Sequence, residues 1–331
     1  MASPTIYDVA TSAGVSISTV SLCLNNPSRV ASATRDRVLA AADSLGYVPK
    51  ADAVSRARRA VGRIGVIAPF TSYPSFARRL NGVLTELAAS NLEVVVYDHA
   101  SAAVSPLLAS LPLTGRVDGL LVVSLPIDEQ VCRRLQEQAI PAVLLDIAQD
   151  GFDVVTTDDA AGGRLAAQHL LERGHTRIGF LGEGWVADHA HQSQCELRLA
   201  GLRAASAAAG HPVDDAHVRF TAHDIDSART AAHELLTGTD RPTAVFAHDD
   251  LLAAAVLQAA GSRGLAVPSD VAVIGFDDSE IAVALGLTTI RQPFEASGQV
   301  AARALLERMA DPVLPTRTTT LDLALVERTT T

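Results

Sequence analysis

The chain has 331 residues, with 27 Lys and Arg against 37 Asp and Glu, 48% hydrophobic side chains and 19% charged ones. That length implies two or three cores, and the composition suits compact, water-soluble domains. No apolar run approaches the roughly 18 residues needed to cross a bilayer, and no basic-then-apolar signal pattern opens the sequence, so the chain is expected in the cytoplasm with no membrane partner.

A first helix is predicted from Ile6. Thr5 offers a hydroxyl to the free N–H groups of a helix start, and Asp8 three residues on can reach back, as in a capping box. Ile6, Val9, Ala10 and Ala13 form its apolar stripe, Gly14 suits the left-handed turn that ends it, and Ser16 can cap a second helix after about three residues. In that helix Val20 and Leu24 face inward with Ile6 and Val9, leaving Ile17, Ser18, Ser21 and Leu22 on or near the outer face. This is the pattern of a helix-turn-helix, whose second helix enters a DNA major groove. A third helix is expected with Ser32 as N-cap, Val38, Leu39, Ala42 and Leu45 inward, and Gly46 as its stop.

Any small bundle of capped, Ala-rich helices shows this periodicity, and the charge distribution weighs against so plain a reading. Residues 1–63 hold eight Lys or Arg and four Asp, a net of +4; the rest holds 19 basic and 33 acidic residues, a net of −14. The head alone has the sign that phosphates attract. Pro49 to Arg63 has no core-facing stripe and reads as a solvated linker in the free protein. Such a basic segment can also fold on DNA when it pairs with its counterpart from a second subunit.

From Arg63 onward, apolar strands alternate with amphipathic helices: Ile64–Ala68, Val94–Tyr97, Gly119–Val123, Ala142–Leu145, Ile178–Leu181, Ala244–Ala247 and Val271–Gly275. This alternation predicts parallel sheets covered by helices, with ligands at the carboxyl ends of the strands. Candidates there are Phe70, Tyr73, Ser75 and Phe76, then Asp146, His248, Asp249 and Asp277; Arg198, near a helix start, suits a two-pronged grip on hydroxyls or a carboxylate. Plain duties compete, since Asp249 and Asp250 stand where the next helix needs a cap and Arg198 equally suits a solvated helix position.

Enzyme signatures are absent: there is no GxSxG elbow, P-loop, HExxH or glycine-rich nucleotide fingerprint. The ten histidines are scattered, and His189 with His191 lie too close for one helix face. Cys23, Cys132 and Cys195 are an odd count without disulfide or zinc spacing and read as reduced packing residues. No catalytic activity, cofactor or metal is expected.

The runs Thr5-Ile6-Tyr7-Asp8-Val9-Ala10, Ala13-Gly14-Val15-Ser16-Ile17-Ser18-Thr19-Val20-Ser21, Leu24-Asn25, Arg35-Asp36-Arg37-Val38 and Leu45-Gly46-Tyr47-Val48-Pro49 closely resemble the lactose/galactose repressor (LacI/GalR) family. So do Val117-Asp118-Gly119-Leu120-Leu121, Gly174-His175-Thr176-Arg177-Ile178-Gly179-Phe180, Val273-Ile274-Gly275-Phe276-Asp277-Asp278 and Leu287-Thr288-Thr289-Ile290-Arg291-Gln292-Pro293. The resemblance covers nearly all of the chain. It implies an α/β protein with a three-helix DNA-binding domain at 1–48, a hinge at 49–62 and a two-lobed, periplasmic-binding-protein-like body with parallel sheets at 63–331. One lobe would take about 63–160 and 291–320, the other about 161–290 and 321–331.

The resemblance further implies a homodimeric transcriptional regulator, a repressor, on a palindromic double-stranded operator. A small effector between the lobes would shift their arrangement and so the operator affinity. Carried over residue by residue, the DNA contacts would be Thr5, Ile6, Ser16, Ile17, Ser18, Thr19, Ser21, Leu22, Asn25, Arg29, Tyr47, Ser55 and Arg56. The effector contacts would be Tyr73, Phe76, Asp146, Arg198, Asp249, Asp277 and Gln292. Relatives commonly carry Arg where this chain has Leu22, an apolar wedge where it has Arg56, and a sugar-stacking aromatic where it has Ile225. Leu22 suits a thymine methyl rather than a guanine edge, and Arg56 suits a narrow, A·T-rich minor groove, so the operator centre is expected to differ from the CpG step usual in the family. The effector is expected to be a sugar or sugar derivative, with a nucleoside or purine as the alternative. No leucine-heptad tail follows Glu327, so tetramers of that kind are not expected. A small-molecule binding protein without DNA function would share the body but not residues 1–46.

Overall fold

The computed structural model describes residues 4–25, 27–47, 62–69, 71–98, 116–127, 129–184 and 193–331. It divides into two compact units, Met1–Thr156 with Phe294–Thr319, and Thr157–Pro293 with Thr320–Thr331.

The chain opens with α1 (Ile6–Ala13), α2 (Ile17–Asn25) and α3 (Ser32–Leu45). The Asp8 carboxylate accepts from both the backbone N–H and the hydroxyl of Thr5, at 2.7 Å each. Gly14 turns the chain at φ 63°, and the Ser16 hydroxyl accepts from the N–H of Thr19 at 3.1 Å, whereas the Thr5 carbonyl, not its hydroxyl, accepts from the N–H groups of Asp8 and Val9. Val9, Val20, Cys23 and Val38 are fully buried between the three helices. One expectation fails: Ser32 is the first residue of α3 and not its cap. Ala31 holds that position, extended at ψ 140°, and its carbonyl accepts from Thr34 and Arg35, so the helix starts without a side-chain cap.

The strands follow as β1 (Gly62–Ala68), β2 (Leu92–Asp98), β3 (Gly119–Val123), β4 (Ala142–Leu145), β5 (Asp153–Thr157), β6 (Ile178–Glu183), β7 (Val218–Thr221), β8 (Ala244–Ala247), β9 (Ala272–Asp277), β10 (Thr288–Arg291), β11 (Thr318–Leu321) and β12 (Ala324–Val326). They build two six-stranded sheets, ordered β11-β5-β4-β3-β1-β2 and β12-β10-β9-β8-β6-β7. The ladders from β2 to β5 are parallel, as are those from β7 to β10; β12 runs antiparallel to β10. β1, β3 and β4 are buried nearly throughout, as are β6, β8 and β9, which fits strands covered on both faces.

All seven predicted strands form. β5, β7, β10 and β11 had no comparable apolar run, and β12, within the run Leu323–Val326, was not singled out. In β10, Thr288 and Thr289 are wholly buried, and their hydroxyls meet Thr331 and Asp250 at 2.9 and 2.6 Å. A buried strand built on satisfied hydroxyls carries no hydrophobic signal.

The helices of the body are α4 (Pro74–Leu87), α5 (Glu129–Glu137), α6 (Asp159–Glu172), α7 (Gln194–Ala208), α8 (Ile225–Leu235), α9 (Asp250–Ser262), α10 (Glu280–Leu285) and α11 (Phe294–Ala310). In each unit one helix pair meets backbone to backbone through glycines. A Cβ on Gly82 or Gly298 would stand 2.0 Å from a carbonyl oxygen of the partner helix, and the same holds for Gly163 and Gly201. These approaches seat α4 on α11 and α6 on α7, which fixes Arg79 and Arg198 where the polar groups of their units converge.

Candidate functional site

On the head, α2 presents Ile17 at 41% and Leu22 at 36% exposure, beside exposed Ser18 and half-buried Ser21. Apolar side chains held at the surface of so small a core are available for contact. Thr5, Ser16 and Arg29 are exposed, and Ile6 and Thr19 are half-buried. Asn25 closes α2. Tyr47, expected at DNA, is instead 6% exposed within the head's apolar cluster, because the chain after Gly46 turns its ring inward. Ser55 and Arg56 lie outside the described residues.

In the first unit, Asp146 and Ser124 follow β4 and β3 directly, both with left-handed backbone at φ 61° and 48°. Non-glycine residues hold that conformation only where the surroundings impose it. Here the Asp146 carboxylate accepts from Arg79 Nη2 and, at 3.1 Å, from the Ser124 hydroxyl. The Arg79 guanidinium also stacks 4.6 Å from the Phe294 ring centre. Tyr73 precedes α4 and is half-buried, whereas Phe76 is 6% exposed. Arg79 was not singled out from sequence, since one Arg in a helix reads as solvated; its burial is settled by Asp146, 67 positions away.

In the second unit a denser set gathers at the ends of β6, β8 and β9. Arg198 is 4% exposed; its Nε donates to Asp159 at 2.7 Å and its Nη1 to the His248 carbonyl at 2.6 Å, over the Phe276 ring at 3.6 Å. The expected grip on a ligand is thus in part committed inside the protein. Asp249 does cap α9, accepting from the Leu252 N–H at 2.8 Å, and its other oxygen meets His223 Nε2. His248 stands 3.8 Å from Glu183. Asp277, at φ 108°, accepts from Gln292 Nε2 at 2.7 Å, and Gln292 reaches Thr157 at 3.4 Å. Asp278 is held by Arg291 and Arg328.

Two histidines read as scattered are therefore brought together at Asp249. Ile225 opens α8 and packs against the unit's apolar core, while His223, two residues earlier, reaches the polar set. Sequence spacing gave no sign of this, because His223 and Asp249 meet only through the pairing of β7 and β8 on either side of β6.

Burial alone would lower the His223 pKa, but the hydrogen bond and charge of Asp249, with Glu183 and Asp277, hold it above its ordinary value. Burial and the Arg198 charge push His248 down to about 3, so its ring is neutral. The Asp277 carboxyl is pushed up to about 7, by burial first and by Asp250 and Asp249, against Arg198 and Gln292. An acid with a raised folded pKa holds its proton after the unfolded chain has released it. Its contribution to stability is present below the unfolded value and is lost as pH rises through about 7. Asp277→Asn removes that slope. Its thermal midpoint, relative to the parent, is expected to climb between about pH 4.5 and 7 and level off above; a pH-independent offset in scanning fluorimetry would contradict the assignment.

The arrangement thus combines an outward-facing second helix on a basic head with polar sets at the strand ends of two parallel sheets. Comparison with known proteins decides what it belongs to. Residues 5–50 match the model of the bacterial regulatory proteins of the lacI family, and residues 167–331 match a periplasmic binding protein-like domain. The chain is 33% identical over 313 residues to the HTH-type transcriptional repressor PurR of Photobacterium profundum, covering 93% of this chain and 92% of that one. The chain belongs to the LacI family.

Among solved structures, this LacI-family chain resembles the transcriptional regulator CelR in its cellobiose complex, with TM-score 0.73, 31% identity and coverage of 99% and 100%. It also resembles the lac repressor dimer bound to operator and the anti-inducer ONPF, with TM-score 0.71, 26% identity and 99% of each chain covered. The chain is accordingly a DNA-binding transcriptional regulator controlled by a small-molecule effector, and its relatives are regulators rather than enzymes. No single helix among the described residues is long and apolar enough to cross a membrane.

Proposed function

We propose that this LacI-family chain acts as a homodimeric repressor on a palindromic operator, read by Ile17, Ser18, Ser21 and Leu22 with backbone support from Thr5, Ile6, Ser16, Thr19, Asn25 and Arg29. The observation that carries this reading is the exposed, uncharged outer face of α2 on the one basic part of an acidic chain. Phosphates supply affinity through the head's Arg residues, while apolar contact with thymine methyls supplies sequence. Arg56 in the linker favours an A·T-rich operator centre.

Selection of binding sites from random DNA tests the operator. Palindromes with thymine opposite Leu22 and no CpG centre are expected; recovery of CG-centred sites would overturn this part. Leu22→Ala is expected to weaken the selected site about tenfold with an unchanged salt slope, because it removes a base contact and no phosphate contact.

The effector in this reading is a sugar or sugar derivative, met by Tyr73 and Asp146 in one unit and by Asp249, Asp277 and Gln292 in the other, with Phe76 and Arg198 as buried supports. Carboxylates fixed by Arg79 and His223 suit hydroxyl donors, and the cellobiose complex of the similar CelR is consistent with that class. A thermal-shift screen of sugars and nucleosides tests it, since a ligand that binds only the folded state raises the midpoint with its concentration. Stabilisation by nucleosides alone would overturn the sugar assignment.

A further inference from the structure

Among the described residues, the DNA-reading head meets its own lobe through Asp43. Asp43, in the last turn of α3, takes Arg134 of α5 in a two-pronged grip: Arg134 Nε lies 2.8 and 3.1 Å from the two carboxylate oxygens and Nη2 lies 2.9 Å from the second. Gln130, one turn earlier on α5, donates to the same oxygen at 3.0 Å. The Arg134 side chain is 2% exposed and that of Asp43 24%, so the pair is largely removed from water. Around it, head residues such as Val9, Val20 and Val38 form one apolar cluster with Leu125, Ile127, Val131 and Leu135 of the lobe.

We infer that α5 is the seat of the DNA-reading head, and that the Asp43–Arg134 pair holds the head in an orientation competent for DNA. The face used for seating is α3, whereas Ile17, Ser18 and Leu22 on α2 and Arg29 and Arg37 nearby stay exposed while the head is seated. Seating therefore leaves the reading face open. It restricts the head to one orientation, and DNA affinity scales with the fraction of molecules in that orientation. The seat is also one turn of chain from the effector side: β3 ends at Ser124, whose hydroxyl donates to Asp146, and the buried Leu125 and Ile127 lead from there into α5. A guanidinium buried to this degree and matched to a carboxylate brought by another domain makes seating specific for α3 and not merely adhesive.

The part of this inference that concerns DNA rests on the function proposed above, so the test has one arm that needs no DNA. Hydrogen exchange of the amides of 36–45 is measured in the full chain for the parent, Asp43→Asn, Arg134→Met and the double variant. Each single variant is expected to exchange about tenfold faster there, and the double no faster than either, because both remove the same contact. Asn in place of Asp at a helix C-terminus would by itself slow exchange, since it removes a charge the helix dipole disfavours; acceleration in Asp43→Asn is thus specific to the seat. Unchanged exchange in Asp43→Asn, or additive effects in the double variant, would overturn the inference. Arg134→Met is scored only on head amides, with β3 amides as the control for the lobe's own fold. In the second arm, Asp43→Asn is expected to bind the palindrome selected by the parent about tenfold more weakly, with the same salt slope and the same selected sequences. A changed sequence preference would place Asp43 in DNA reading instead, and equal affinity would overturn the orienting role while leaving the seat itself.

Discussion

Arg198→Met is expected to destabilise the second unit by about 3–5 kcal/mol, the cost of leaving one charge of a buried pair without its partner. Asp159 and Arg198 have side chains only 6% and 5% exposed, and the Arg198 Nε contact at 2.7 Å is what makes a carboxylate tolerable there. Methionine fills much of the volume and keeps apolar contact with Phe276, so little of the loss is a cavity. It also leaves the His248 carbonyl without the donor that reaches it at 2.6 Å. The double change Asp159→Leu with Arg198→Met is expected to recover most of the loss, because replacing both members of a buried pair by apolar groups is often close to neutral. Urea midpoints of the parent and the two variants check this. A single variant within about 1 kcal/mol of the parent would mean that water, not Arg198, satisfies Asp159.

Deletion of residues 1–60 is expected to abolish DNA retention while leaving ligand-induced stabilisation of the body intact. The deleted stretch contains seven of the eight basic residues that give the head its positive sign, and the body left behind is strongly acidic. If the full dimer neutralises about 6–10 phosphates, its affinity falls by about 10³–10⁵ between 50 and 200 mM salt. Fluorescence anisotropy with labelled duplex reads both results. Residual, steeply salt-dependent binding by the truncated body would move the DNA site out of the head.

How much of this was legible in the sequence depended on whether a feature is local. The Asp8–Thr5 contact, the Gly14 turn and the inward-facing Val9, Val20 and Val38 are each written within a single helix and its ends, and all form. The apolar strands of the sheet centres were equally legible, since a strand buried on both faces is a continuous hydrophobic run. Thr288 and Thr289 were not, because their burial depends on acceptors supplied by α9 and the C-terminal residues. Likewise Asp146, Asp249 and Asp277 were found as strand-end carboxylates, and Gln292, which holds Asp277, was named with them; Arg79 and His223 were not, because Arg79 lies 67 positions from Asp146 and His223 lies 26 from Asp249. Ser32, a locally plausible cap, is instead the first residue of α3, and Tyr47, carried over from the family resemblance, is buried in the head's apolar cluster.

Effector and operator are linked through one protein, and linkage is reciprocal. The most direct test takes the best ligand of the thermal-shift screen and the palindrome selected by the full chain, and measures the affinity for each in the absence and in saturating presence of the other. The ligand is expected to change operator affinity by at least about tenfold, and the operator to change ligand affinity by the same factor, in the same direction. Two affinities that are each indifferent to the other partner would contradict it.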